Sequence, residues 1–288
     1  MHGLHTDYVI AGFDGSAESR RAAWWAASEA ASRHQPLVLV HAFSIALEEL
    51  TRIHLPSEAV VDEPLHSAAQ PVLEDLAAQI REGMPGLQVR TGVRMGHPAS
   101  VLVDAAVGAS VLVLGPPRLS RTRRVLLGST ADELVRTAHV PVVVVRGEHG
   151  AVLASPTPPE LSHIVVGVDG SPCSTRAIGF AFDFADRHNA ELVGLLVGRR
   201  DHRTGSDDAR RGILSDAMSV WTERYPDVVV REEVTTAEHP ADALLTAAVD
   251  ADLLVVGVRG HGAVHTTCLG SVSHAVVHYA PCPVAVVR

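Results

Sequence analysis

From Tyr8 onward the chain alternates short runs of β-branched and other apolar residues with longer stretches in which apolar residues recur every three to four positions. The short runs are the pattern of strands buried on both faces, and the longer stretches that of helices laid against them. Together they predict a parallel sheet covered on both sides. The second half shows this most clearly, with strands at 164–169, 192–197, 228–234, 253–257 and 283–287 and helices near 172–188, 206–224, 240–249 and 271–280. Ser171 followed by Pro172 is a helix start signal, and Ala177, Ala181 and Ala185 then present small side chains to the sheet. Ala22, Ala26 and Ala30 repeat the device in the first half. Trp24 and Trp25 are neighbours on that helix, so one is expected to pack and the other to lie at a rim.

The pattern occurs twice. Tyr8-Val-Ile-Ala-Gly12-Phe-Asp14-Gly-Ser16 returns as His163-Ile-Val-Val-Gly167-Val-Asp169-Gly-Ser171, an offset of 155 residues. Farther on, Gly128-Ser129 returns as Gly270-Ser271 and Pro141-Val142 as Pro283-Val284, now at an offset of 142. The register changes after the second strand, where residues 45–63, with Pro56, have no counterpart in the second half and are expected to be an irregular surface loop. Ser155-Pro-Thr-Pro-Pro159 reads as a stiff linker, because each proline fixes its own φ and disfavours helix in the residue before it. Two domains are expected, 1–150 and 160–288. The final strands, 142–145 and 284–287, are apolar edges that invite pairing with each other in an intramolecular pseudo-dimer.

Composition narrows the chemistry. At 288 residues and 47% hydrophobic content the chain has material for two cores, and its net charge of −9 leaves no basic face for nucleic acid. All 24 basic residues counted as Lys or Arg are arginines. Without lysine there is no P-loop lysine, kinase strand lysine or Schiff base. Cys173, Cys268 and Cys282 form no disulfide framework, and no apolar run approaches the length of a membrane span, so a cytoplasmic protein without membrane contact is expected.

Where the fourth strand of the second half ends, Gly257-Val-Arg259-Gly260-His261-Gly262 leads through seven more residues to Gly270-Ser271-Val272, a Gly-x2-Gly-x9-Gly-Ser pattern running into a helix. Glycines let the backbone approach a ligand closely, and the free N–H groups of a helix start can hold an anion with no lysine. Open parallel sheets bind ligands where strand order reverses, here between strands one and four, which sets Asp169 opposite this loop.

Asp-Gly-Ser after strand one, Gly-x2-Gly-x9-Gly-Ser after strand four and a closing Pro-Val strand resemble the ATP-binding class of universal stress proteins. The tandem arrangement resembles the actinobacterial two-domain members. The resemblance implies two flavodoxin-like (Rossmann-like) α/β domains, each with a five-stranded parallel sheet, and a regulatory role in stress or dormancy adaptation rather than an enzyme. It implies ATP, with Mg2+ where the phosphates carry it, at Gly167, Asp169, Val256, Gly257, Arg259, Gly260, His261, Gly262, Gly270, Ser271 and Val272. A homodimer of the two-domain chain and a signalling partner of unstated identity fit the same picture. A slow ATPase or nucleotidyl transferase on the same fold, and an interaction module without nucleotide, are the alternatives.

The first half departs from the pattern, because Gly115-Pro-Pro-Arg118 replaces Gly-x2-Gly although Gly128-Ser129 keeps its place. Two prolines remove amide donors, while Arg118, Arg121, Arg123 and Arg124 add positive charge. Gly12, Asp14, Gly115, Arg118, Gly128 and Ser129 therefore form either an altered site or none. His261, His265 and Cys268, and His274 with His278 one helical turn apart, match no known zinc spacing, so no metal is expected.

Overall fold

In the first half the apolar and amphipathic segments become β1 (Tyr8–Gly12), α1 (Ala17–Ser32), β2 (Leu37–Phe43), α2 (Ala59–Gly83), β3 (Val89–Met95), α3 (Pro98–Ala105), β4 (Ala109–Leu114), α4 (Ser129–Thr137) and β5 (Val142–Val144). The second half repeats them as β6 (His163–Val168), α5 (Pro172–His188), β7 (Glu191–Arg199), α6 (Asp207–Arg224), β8 (Val230–Ala237), α7 (Pro240–Ala247), β9 (Leu253–Gly257), α8 (Ser271–Tyr279) and β10 (Val284–Val287). These come from a computed structural model, which describes residues 7–44, 59–116, 127–146, 161–199, 206–260 and 269–288.

The strands form one sheet in the order β3-β2-β1-β4-β5-β10-β9-β6-β7-β8. Each half is parallel, and its order places strand one between strands two and four, the reversal point of a doubly wound α/β domain of flavodoxin-like type. The halves meet where β5 and β10 run antiparallel, with Val142 opposite Val286 and Val144 opposite Val284. The two five-stranded sheets thus fuse into one, because each final strand finds its missing neighbour in the other half.

Alternation along the strands divides the core into two layers that both cross the molecule. One layer joins Val9 and Ala11 of β1 with Trp25 of α1, Leu76 of α2, Phe182 of α5 and Leu214 of α6. The other joins Ile10 with Leu102 of α3, Leu134 of α4, Leu244 of α7 and Val276 of α8. At about 25 cal/mol per Å2 of apolar surface, burying one such large side chain stabilises by about 1.5–3 kcal/mol before entropy is counted.

Three boundaries and packings differ from the sequence expectation. The helix α2 takes in Ala59 to Glu63, the end of the stretch expected to be loop; its farther turns are anchored by Leu73, Leu76, Ala77 and Ile80, all fully buried at helical spacing. The strand β8 runs to Ala237, because β7 continues to Arg199 and an edge strand tolerates the polar Thr235 and Thr236. Trp24 and Trp25 are both buried, since α1 is enclosed by the sheet on one side and by α5 of the other half on another; Trp25 stacks on Phe184 with centroids 5.9 Å apart.

Beside that stack lies a charge network absent from the repeat pattern. Glu29 on α1 is 1% exposed and accepts from Arg33 Nε (2.6 Å), Arg187 Nη2 (2.9 Å) and His188 Nε2 (3.1 Å), the last two from the other half. Asp183 accepts from both arginines as well. Burial raises the Glu29 pKa, but the His188 hydrogen bond and the charges of Arg187 and Arg33 outweigh it and hold the carboxyl at about 2. On the opposite face, Arg146 after β5 donates to the carbonyl of His278 (2.7 Å), and Arg288 after β10 donates to that of Arg136. Each final strand therefore sends an arginine to the C-terminal turn of the other half's last helix, where the helix dipole favours positive charge.

Candidate functional site

The chain leaves β6 through Asp169-Gly170-Ser171. Gly170 takes φ +80°, a left-handed value that glycine accepts without strain, and so turns the chain directly into α5. Ser171 Oγ caps α5 by accepting the Ser174 N–H (3.2 Å), and Asp169 Oδ1 accepts the Ser171 N–H (2.9 Å). The Asp169 carboxylate is thereby oriented while its residue stays exposed. The first half builds the same turn: Gly15 has φ +82°, Ser16 caps α1, and Asp14 Oδ1 accepts the Ser16 N–H (2.9 Å).

The end of β9 approaches this turn closely. A Cβ on Gly257 would stand 2.9 Å from the Cys173 carbonyl carbon, and a Cβ on Gly260 would fall on Asp169 Oδ2. The glycines are therefore required for the strand-four loop to lie against the strand-one turn. Gly115 repeats the first contact, 2.7 Å from Glu18 backbone atoms. Two hydrogen bonds then bring the far end of the loop back: Gly270 N–H donates to the Val258 carbonyl (3.0 Å), and Ser273 Oγ donates to that of Gly257 (2.6 Å).

The capping of the helices around this point differs in kind. Serine side chains cap α1 and α5, whereas α4 and α8 begin after Gly128 and Gly270, which offer no side-chain oxygen to the first-turn N–H groups. The starts of α4 and α8 thus keep donors for an external acceptor. Beside the second of them, Arg259 Nε is buried with no hydrogen-bond partner among the described residues. Arg176 Nε donates to the Arg288 carbonyl (2.6 Å), and the Arg288 pKa is lowered by burial and by the Arg259 charge, with Cys173 opposing. Positive charge therefore gathers around Asp169 and the glycine loop.

The profile of the universal stress protein family matches residues 6–146 and again residues 160–288. The chain belongs to this family. A universal stress protein of Mycolicibacterium smegmatis is 36% identical to it over 300 residues, covering 98% of each chain. One from Mycobacterium tuberculosis is 34% identical over 293 residues, covering 97% of this chain and 96% of the relative. Among solved structures, a universal stress protein from Archaeoglobus fulgidus superposes with a TM-score of 0.77 at 20% identity, covering 98% of both chains, and so shares the fold.

On this universal stress protein scaffold the expected site residues separate into groups. Asp169, Gly257, Gly260, Gly270 and Ser271 come together at the C-terminal ends of β6 and β9, with Arg259 and Val272 adjoining and Val256 buried in the strand. Gly167 and Gly12 are packing positions: a Cβ there would stand 3.2 Å from Leu244 and 2.8 Å from Leu114. In the first half Asp14, Gly115, Gly128 and Ser129 occupy the equivalent places. Arg118, Arg121, Arg123 and Arg124, like His261, Gly262, His265 and Cys268, lie outside the described residues. Arg176 and Arg288 are additions that motif spacing does not single out. The repeat held the only signal, since Arg288 stands 142 residues after Arg146. Among the described residues no helix is long and apolar enough to cross a membrane.

Proposed function

We propose that this universal stress protein is a cytoplasmic ATP-binding regulator of stress or dormancy adaptation, in which the second half holds the nucleotide as a signal or structural ligand without a catalytic role. The observation that carries this reading is the convergence of the Asp169 carboxylate, the Gly260 backbone packed directly against it and the uncapped start of α8. A carboxylate suits the hydroxyl donors of an adenosine sugar, or Mg2+ accompanying phosphates, while backbone N–H groups and arginine suit the phosphates themselves. The buried Arg259 Nε and the missing side-chain cap are unmet donors that such an anion would satisfy.

The choice of ATP among phosphate ligands rests on the Gly-x2-Gly-x9-Gly-Ser likeness. Freshly purified protein, denatured and analysed by mass spectrometry, is expected to release an adenine nucleotide. Calorimetric titration of nucleotide-stripped protein should show ATP binding. Absence of both signals would overturn the reading.

A further inference from the structure

Helices α4 and α8 belong to different halves and meet on the face opposite Glu29. There Asp132 of α4 lies against His274 and His278 of α8, with one candidate ligand atom from each residue, all within 4.8 Å of one another. The imidazoles are one helical turn apart, with ring centroids separated by 4.2 Å. A tetrahedral shell with bonds of about 2.1 Å spaces its ligand atoms roughly 3.4 Å apart, so small side-chain rotations close the set. Two imidazoles and a carboxylate suit a borderline transition metal rather than Mg2+ or Ca2+.

We infer that Asp132, His274 and His278 form a zinc-class metal site that ties the two halves together. Two observations support it. The His278 side chain is buried, and its Nε2 has no hydrogen-bond partner among the described residues. Arg136 holds Asp132 Oδ2 at 2.5 Å and so orients the carboxylate as an outer partner of a metal ligand does. The metal would take the place of a disulfide in a chain that has none among its described cysteines.

Loading the site has a consequence for the first half. The Leu127 N–H donates to His278 Nδ1 at 3.2 Å, so in the metal-free protein the ring proton sits on Nε2. A cation on Nδ1 replaces that N–H. A cation on Nε2 displaces its proton to Nδ1 and turns the N–H away. In both cases the amide directly before Gly128-Ser129 is released, which couples the metal to the start of α4.

The test is titration of chelator-treated full-length protein with Zn2+ by calorimetry and with Co2+ by visible absorption. One tight site per chain is expected, with the intense bands of tetrahedral Co2+. His274→Ala, at an exposed position, should retain its circular dichroism spectrum and lose at least roughly tenfold in Zn2+ affinity. Asp132→Asn should weaken binding as well. Zn2+ should raise the unfolding midpoint of the parent protein but not of His274→Ala, and should speed hydrogen exchange at the Leu127 amide. Equal Zn2+ affinity in parent and His274→Ala, or no Co2+ spectrum in the parent, would overturn the site. A loss in His274→Ala without one in Asp132→Asn would overturn the link between halves.

Discussion

The two halves share a backbone plan almost element for element, yet they diverge at two places that matter chemically. After strand four, the second half has Gly257 and Gly260 packed against the α5 turn, while the first continues from Gly115 into Pro116. On the facing helices, Glu29 of α1 stands where the repeat puts Phe184 in α5, and both contact His188 of the second half. A duplicated fold thus keeps its strands and caps, which must satisfy the same packing twice, and lets the halves specialise where a ligand or the opposite half supplies the complement.

The largest test of this asymmetry is Glu29→Ala. Removing the carboxylate leaves Arg33, Arg187 and His188 without their buried partner and should cost about 3–5 kcal/mol in urea unfolding. A loss below about 1 kcal/mol would mean that the network adds no stability to the α1–α5 contact. The pH dependence follows from the same carboxyl. Its folded pKa of about 2 lies below the ordinary value of 4.5, so its contribution is complete above pH 4.5 and disappears as pH falls toward 2. The stability gap between the parent protein and Glu29→Gln should therefore be level above that window and close by on the order of 3 kcal/mol within it. A gap that stays constant through the window would remove Glu29 as its source.

Gly260→Val should weaken ATP binding at the second half at least a hundredfold, about 2.7 kcal/mol, because Asp169 Oδ2 occupies the place of the new Cβ. Circular dichroism should be unchanged, since Gly260 is an exposed loop position. Unaltered affinity in calorimetry would detach the glycine loop from the nucleotide. The smallest expected effect is also the most direct comparison. Asp169→Ala should lower ATP affinity about tenfold, and Asp14→Ala by less, because only the second half retains both loop glycines. The reverse order would move the principal site to the first half.

Elements and local motifs were legible in the sequence because their signals are short-range. Asp169, Gly170 and Ser171 announce their turn and cap within three residues, and the apolar period of β9 and α8 sets the loop between them. What could not be read depends on the β5–β10 register, which no local period encodes. Glu29 meets Arg187 across 158 residues, and Arg146 meets His278 across 132. His274 and His278 are a visible pair at helical spacing, but Asp132 joins them only once the halves are docked. Both tryptophans of α1 are buried for the same reason: the second layer of packing comes from a helix in the other half.

The seam also bears on how the protein is made. The strand β10 follows every other strand in the chain, yet it lies at the centre of the sheet between β5 and β9. A ribosome delivers β1 to β5 first, and Val142–Val144 then waits with one row of backbone groups unpaired while the second half is synthesised, on the order of ten seconds. During that interval the bare edge is a template for any extended strand, including the same edge of a neighbouring nascent chain on the polysome. Chaperone holding of the emerging first half, or rapid completion of the second, decides whether β5 finds its own partner or another chain's.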